Sequence, residues 1–511
     1  MKTLFLFLFL SLHICAKNFT VATYNIENLF DLNHNGTEYQ EYIPHKTNWN
    51  HNTLTVKLNH ISNVITSMNP DIIALQEVES KEALMLLKKT LPQYAYADFI
   101  KNQNAAIGLG ILSKYKITQS QAIPIKSNST FARPIQKVMF TIDNHSLTLF
   151  NNHWSSKKVA ESKRIEYALS LKTYLDTLPE SEDYILVGDF NSNYDEYLSF
   201  KNDKKLNDSY NITGINQILN TSLNQEFVQK EHILEQKENV HYNLWLDLPY
   251  EKRFSYKFRN HNETPDNIIV AKALFDEKNI SYVPNSFKVY QASYLFDGNK
   301  VKRWEVKNGF HQNRGYSDHL PIMATFSTEK YKTPLALEYE NRISFLYKIN
   351  HLEKSLKLND VIVIYKNNDS AILKQKNDRA IYAYGCAKEL KLGMSYDIEV
   401  ETLSNYFGLK EIKSLKITNE KKEYQINEFY LDANNIDLLN LTYQNEIITH
   451  LSGIFYDGYL KFNHHKIRIY AKDKTLLPKN GQKITIMSGH LGFYKSNVQI
   501  ILYKKSDIRV N

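Results

Sequence analysis

From Phe19 to about Phe326, short apolar runs alternate with amphipathic stretches, and five of the runs meet a polar residue at one end. Runs of four to eight apolar residues read as strands, and a 3.6-residue apolar period reads as a helix. Phe19–Tyr24 alternates like a strand, and Ile72–Leu75, Ile107–Leu112, Leu147–Phe150 and Tyr184–Val187 read as buried strands. Asn52 offers a cap to a helix carrying Leu54, Leu58, Ile61, Val64, Ile65 and Met68, which Asn69-Pro70 stops. A second helix is predicted over Ala160–Leu175. Strands and helices mixed in this way predict a layered α/β domain.

The polar ends carry the chemistry. They are Asn25, Gln76-Glu77-Val78, Asn151-Asn152-His153, Gly188-Asp189-Phe190-Asn191, and Ser317-Asp318-His319 before Leu320. Strand ends on one side of a sheet converge on one crevice. Each has a bland reading alone: a turn for Asn25, salt bridges for Glu77 and Asp318, a satisfied edge histidine for His153. Five converging on one crevice call for a common purpose.

Carboxylates and an amide oxygen are hard ligands suited to Mg²⁺ or Mn²⁺, with Ca²⁺ also admissible. A histidine backed by a carboxylate can activate water, and a second donor can assist a leaving group. The chain has no Cys/His pattern with zinc spacing and no serine-centred nucleophile elbow. Metal-assisted phosphodiester hydrolysis matches this inventory.

In order and spacing these islands resemble the deoxyribonuclease-I-like endonuclease/exonuclease/phosphatase superfamily. Phe131-Ala132-Arg133-Pro134, Tyr242–Trp245 through Phe254-Ser255-Tyr256, and Pro265–Val270 strengthen the likeness, which is greatest to the bacterial secreted nuclease branch. The resemblance implies a four-layer α/β sandwich over 17–328. It matches Glu77 to the principal metal ligand, assisted by Asn25 and Asp318, and His319 to the catalytic histidine, oriented by Asp266. Asp189 and Asn191 match the pair that positions nucleophile and phosphate, and His153 a second acid/base or phosphate-binding histidine. Arg133, Asn152 and Tyr256 are expected on the phosphate or substrate. Asn267 stands where the family often has Tyr or His after the aspartate. His153 lacks an evident carboxylate partner, Asp98 and Glu161 being the ones on offer.

Polar residues at Ser327–Thr333 predict a linker, and beyond Arg342 the pattern becomes short β-like runs with glycine turns. Tyr443–Leu451 is the one stretch there with a helical look. Tyr396–Glu401 leading to Tyr406–Ile412 is echoed by Gln482–Met487 leading to Gly492–Tyr494 and Val498–Ile500. That cadence resembles two OB-fold barrels, over 340–420 and 421–511. Of the 63 basic and 55 acidic residues, 26 and 18 fall in 342–511, so 1–341 balances at 37 of each and the last third carries the whole +8. With Tyr406, Phe407, Phe455, Tyr459, Phe493 and Tyr494 interleaved, this favours a nucleic acid partner, DNA first. No protein partner is evident.

At the start, Met1-Lys2, an apolar run Leu4–Leu12 and Ala16 read as a secretory signal over residues 1–16. The run is far short of the about 20 residues a membrane span needs, so no stable insertion is expected and the chain is placed in the periplasm or outside the cell. Removing the signal takes Cys15 and leaves Cys386 alone, so the mature chain has no internal disulfide. The chain is therefore expected to be an exported, metal-dependent, sequence-nonspecific nuclease. Its rivals are a phospholipid or inositol phosphate hydrolase of the same superfamily and a catalytically dead binding protein.

Overall fold

The computed structural model describes residues 18–329 and 341–511, apart from 202, 225, 259, 260, 348, 350, 351, 353, 439, 463, 464, 495 and 496. The expected signal and most of the expected linker lie outside the described residues. The chain divides into two compact units, Met1–Thr333 and Pro334–Asn511.

In the first unit, alternation along each strand sorts side chains into separate cores. Strands β1 (Asn18–Leu29), β2 (Ile72–Val78), β3 (Tyr96–Ile100) and β4 (Gly108–Ser113) build one sheet, extended beyond β1 by Ile322–Ser327 with its short partners Ser281–Tyr282 and Lys288–Val289. Strands β5 (Ile117–Ile123), β6 (Ile135–Ile142), β7 (His145–His153) and β8 (Tyr184–Asp189) build the other, continued by Asp266–Ala271 and His241–Asn243. Phe19, Val21, Ile72 and Ala74 face Leu147, Leu149, Ile185 and Val187 in the core between the sheets. Their neighbours Ala22, Tyr24, Ile73 and Leu75 pack outward with Leu54, Leu58, Ile61 and Ile65 of α1 (His51–Met68) and with Ala83, Leu84 and Leu87 of α2 (Lys81–Lys89). On the other side Phe150, Leu186 and Ile269 meet Ala168 and Leu171 of α3 (Glu161–Leu175). Four layers result.

The cap of α1 is Asn50, not Asn52: the Asn50 side chain accepts from the Asn52 and Thr53 amides, and Asn69 ends the helix in the left-handed region. Between the sheets a polar clamp interrupts the apolar core. Gln76 Nε2 donates to Asn151 Oδ1 at 2.7 Å and to Thr23 Oγ1, while Asn151 Nδ2 donates to Gln136 Oε1 and to the Leu75 and Gly110 carbonyls. A buried amide needs such partners, so this clamp fixes how the sheets register on each other.

The second unit is mostly β. Leu356–Asn367, Ser370–Lys374, Ala380–Ala383, Leu409–Glu423 and Met394–Tyr406 close into one barrel in that order, with Ala380–Ala383 parallel to Leu409–Glu423. The second expected barrel is a nine-stranded sheet in the order 431–432, 447–449, 489–494, 497–502, 465–471, 459–462, 452–456, 483–486 and 508–510. The helical look of Tyr443–Leu451 is also overturned, because Ile447–Thr449 is a strand paired to 489–490. Barrel and sheet are tied by Lys374 Nζ to Glu446 Oε2 at 2.6 Å and by the Tyr365 hydroxyl to Asp507 at 2.8 Å.

The β7–β8 pairing admits no side chain at residue 188. Gly188 has φ 126°, and a Cβ there would meet the Asn152 carbonyl oxygen at 2.1 Å. Gly188→Ala is expected to cost at least about 2 kcal/mol locally, read as faster hydrogen exchange across 149–154 and 185–189. Unchanged exchange would refute the close approach.

Candidate active site

The register of three neighbouring strands sets the site. His153 pairs with Asp189 across parallel β7 and β8, and Asp189 pairs with Asp266 across the next, antiparallel contact. One histidine and two carboxylates therefore stand in a row at one end of the second sheet. The end of the first sheet supplies Asn25 and Glu77. Its strands run parallel through Asn25 and Gln76, then bulge. Glu77 takes φ 66°, a conformation side-chain-bearing residues rarely adopt, and this breaks the alternation that buries Gln76 between the sheets.

His319 closes the group. Its Nδ1 lies 2.8 Å from Asp266 Oδ2, which also accepts from Ser255 Oγ at 2.6 Å. Its ring packs on Tyr256 with centroids 4.9 Å apart, and its backbone bridges to Tyr256. Burial works against a charged ring here. The bonded Asp266, with Asp189 and Asp318, outweighs it and holds the His319 pKa well above its ordinary value. Asp189 is pushed up to about 6, first by burial, against the pull of His319, with Asp266 repelling it. Glu77 is raised by burial and by Asp318. His153 goes the other way: burial, then Arg133 and His319, drives it well below its ordinary value. Neutral His153 turns Nε2 towards Asp189 Oδ2 at 3.6 Å and Glu77 Oε1 at 3.9 Å, and among the described residues its buried Nδ1 has no hydrogen-bond partner.

Several expected residues do other work. Asn25 presents its NH₂, not its oxygen, to Glu77 and Asp189, both at 3.1 Å, while its Oδ1 accepts the Glu27 amide. Through that NH₂ it bridges the two carboxylates. Asn152 points away from the site by strand parity: its amide bonds the Phe150 and Val187 carbonyls and accepts from Trp154 Nε1. Arg133 spends Nε and Nη2 on the His153 and Trp154 carbonyls, so that edge of its fork is closed to a phosphate. Asn191 likewise gives its side-chain NH₂ to the Trp154 carbonyl at 3.1 Å, and its backbone N–H to Asp189 at 2.8 Å. Neither suggested partner reaches His153, since Asp98 bonds Gln136 and Ser120 and Glu161 bonds Arg164.

Sequence reading missed a second ring of residues. Glu27, two places beyond Asn25, binds Arg303, which also lies 3.7 Å from Asp318. Buried Lys57 donates to the Glu27 carbonyl at 2.8 Å and to that of Tyr316. Burial and Asp318 raise Glu27 to about 7, while burial lowers Lys57 to about 8. Ser317 Oγ holds the Asn25 carbonyl at 2.7 Å. Ser317 and Ser255 lie inside the motif stretches. Arg303 has no sequence signal.

Two oxygen-rich groups can hold a cation on donor chemistry. Ligand atoms of Asp189, Asp266 and His319 lie within 4.8 Å of one another. Glu77 and Asp318 form the other, hard carboxylates whose mutual repulsion a divalent cation would relieve. In the first group Nδ1 of His319 is already bonded to Asp266, so the donor set fits a metal better at Glu77 and Asp318.

A fold of two sheets between helices, with this crevice at their strand ends, defines a phosphoesterase-like class. The chain belongs to the endonuclease/exonuclease/phosphatase family, whose model matches residues 20–328. No curated protein sequence matches it. Among solved structures it is similar to a D. rerio TDP2 humanized by 14 mutations, at 15% identity over 60% of this chain and 98% of that one, TM-score 0.38. An AP endonuclease from Archaeoglobus fulgidus matches at 13% identity over 61% and 100%, TM-score 0.37. A family protein from Bacteroides thetaiotaomicron matches at 16% over 61% and 99%, TM-score 0.36.

The raised His319 pKa gives a signed prediction. A group raised on folding contributes stability that is fully present below its unfolded pKa, about 6.5 for histidine, and lost as pH climbs through the folded value. In metal-free protein the His319 ring should therefore stay doubly protonated well above pH 6.5. Asp266→Asn should lower that point, followed by ¹⁵N-histidine NMR. An unmoved titration would remove Asp266 as its cause.

Proposed function

We propose that this chain is an exported, divalent-metal-dependent phosphodiesterase that hydrolyses DNA without sequence preference. The observation that carries the reading is the His153–Asp189–Asp266 row with His319 2.8 Å from Asp266. Asp266 fixes the His319 ring through Nδ1; once a cation bound at Glu77 and Asp318 offsets the negative charge that otherwise keeps the ring protonated, Nε2 is free to take a proton from an attacking water. Asp189, steadied by the Asn191 amide and by Asn25, holds that water by accepting its other hydrogen. Neutral His153 donates from Nε2 to a non-bridging phosphate oxygen; as the water oxygen bonds to phosphorus, the ester P–O bond opposite it breaks, and the departing oxygen takes a proton from solvent. Tyr256 packs the His319 ring in place and shields it from solvent. A divalent cation at Glu77 and Asp318, when bound, supplies positive charge against the negative charge that develops on phosphate.

Support for DNA as substrate comes from the +8 carried by 342–511. We read this unit as two OB-like modules. The first barrel's third strand lies parallel to its last. The nine-stranded sheet repeats that pairing between His465–Ala471 and Asn497–Leu502. In it 447–449 pairs with 431–432 and 489–490 while 452–456 pairs with 459–462 and 483–486, two separate edges that one bent first strand would present. Export rests on the 1–16 segment, and among the described residues no helix is long and apolar enough to cross a membrane.

The test incubates the purified chain with plasmid, linear DNA, RNA and sphingomyelin. Chelation is expected to abolish DNA cleavage, and Mg²⁺ or Mn²⁺ to restore it. His319→Ala is expected to cut turnover at least about a hundredfold, with the fold intact by circular dichroism. Full activity after exhaustive chelation, or preference for sphingomyelin, would overturn the proposal.

A further inference from the structure

Outside the catalytic crevice, the most unusual surface lies in the second unit. Strands Tyr459–Phe462 and His465–Ala471 pair antiparallel, with Tyr459 opposite Arg468 and Lys461 opposite Lys466. Strand 465–471 buries Ile467, Ile469 and Ala471, so its other face presents Lys466, Arg468 and Tyr470 to solvent. Like charges directly opposite one another on a sheet are destabilising without a counter-ion. Among the described residues no carboxylate pairs with Lys461, Lys466 or Arg468. Between Tyr459 and Lys479 there are six basic residues and one acidic, Asp473.

Aromatic rings share this face. Lys466 Nζ sits 5.0 Å from the Tyr459 ring centre, Lys461 4.7 Å from that of Tyr456, and Lys474 4.9 Å from that of Tyr470. Tyr456 is 51% exposed and Tyr470 38%. The barrel adds to the same surface, since Tyr406 and Phe407 pack on Tyr494 at 6.2 and 5.0 Å. Tyr494 is close enough to Arg468 and Tyr470 for their charges to act on its hydroxyl.

We propose that this face binds single-stranded DNA, its bases stacking on Tyr456, Tyr459 and Tyr470 and its phosphates meeting Lys461, Lys466 and Arg468. The proposal deepens the nuclease reading and rests on nucleic acid being the substrate. Opposed lysines without counter-ions create a demand for anions, and exposed rings between them create a demand for flat apolar partners. A single strand meets both at once, because its base faces are open while its backbone is charged. A duplex offers the charge and hides the bases. A neutral polysaccharide offers flat faces and no charge.

The experiment uses the full chain in chelator, which prevents cutting. Anisotropy of a fluorescein-labelled 15-nucleotide dT strand is measured against salt. Tyr459→Ala and Tyr470→Ala are each expected to raise Kd about fivefold or more, while Tyr470→Phe keeps wild-type affinity. Lys466→Ala and Arg468→Ala should each flatten the slope of log affinity against log salt by about 0.7. Unlabelled dT should compete better than a duplex of equal length or a neutral glucan. With Mn²⁺ restored, hydrolysis of bis(p-nitrophenyl) phosphate should match wild type in all four alanine variants, because none of these residues belongs to the crevice. Unchanged Kd in both tyrosine-to-alanine variants would overturn the proposal, as would a duplex or glucan competing equally well. If the wild-type chain hydrolyses nothing while the tyrosine-dependent binding holds, the catalytic reading fails and this inference stands.

Discussion

The cost of gathering carboxylates in a buried crevice governs the first unit. Glu77, Asp189, Asp266 and Asp318 converge where burial and mutual repulsion push Glu77 and Asp189 towards their neutral forms. Every neighbouring feature offsets part of that cost. Asn25 gives one NH₂ to Glu77 and Asp189, the Asn191 amide bonds Asp189 as well, the Ser255 hydroxyl bonds Asp266, and His319 is drawn towards its charged form beside Asp266. Arg303 faces Asp318 from the rim. Protein dipoles alone leave Glu77 and Asp189 raised. That residual imbalance is one that a bound divalent cation would relieve.

Much of the first unit was legible because its strands are buried on both faces. Continuous apolar runs such as Ile72–Leu75 and Tyr184–Val187 announce themselves, and polar residues at their ends stand out. The sequence could not show which way each end residue points. Parity explains Asn152: in a strand, residues 151 and 153 share one face, so 152 must take the other, where Trp154 claims it. Glu77 breaks parity through its left-handed backbone, which no apolar pattern encodes. The resemblance puts Arg133 on phosphate, yet a half-buried guanidinium first satisfies the nearest carbonyls. Arg303 and Lys57 reach the site across loops and helix packing, long-range contacts invisible to local pattern.

The second unit was harder to read for the same physical reason. The one-sided apolar alternation in 465–471 is clear, but nothing in that pattern names the strands it pairs with. Ile447–Thr449 sits among Tyr443, Leu451 and apolar neighbours at spacings that also suit a helix. Its pairing with 489–490 decided the matter. The internal echo sets 396–401 against 482–487, yet the first pairs with 409–423 in a hairpin while 483–486 pairs with 452–456 and 508–510. The first of them lies in the closed barrel, while 483–486 and 508–510 form one edge of the nine-stranded sheet.

Two sheets that bury both faces leave nowhere for chemistry except the strand ends. Side chains along β1, β2, β7 and β8 are committed to one core or another, and a polar group placed mid-strand must be clamped, as Gln76 and Asn151 are. At the ends the pleat can be broken without unpairing the sheet. The left-handed residues Glu27, Asn28, Glu77 and Asn191 all fall there. Each such residue costs on the order of 1–3 kcal/mol, tolerable only because the paired strands behind it are already fixed. Register then does the positioning: a slip of one residue between β7 and β8 would move His153 off Asp189 and set a side-chain-bearing residue against Asn152, where only Gly188 fits. The apolar core thus determines where His153, Asp189 and Asp266 stand.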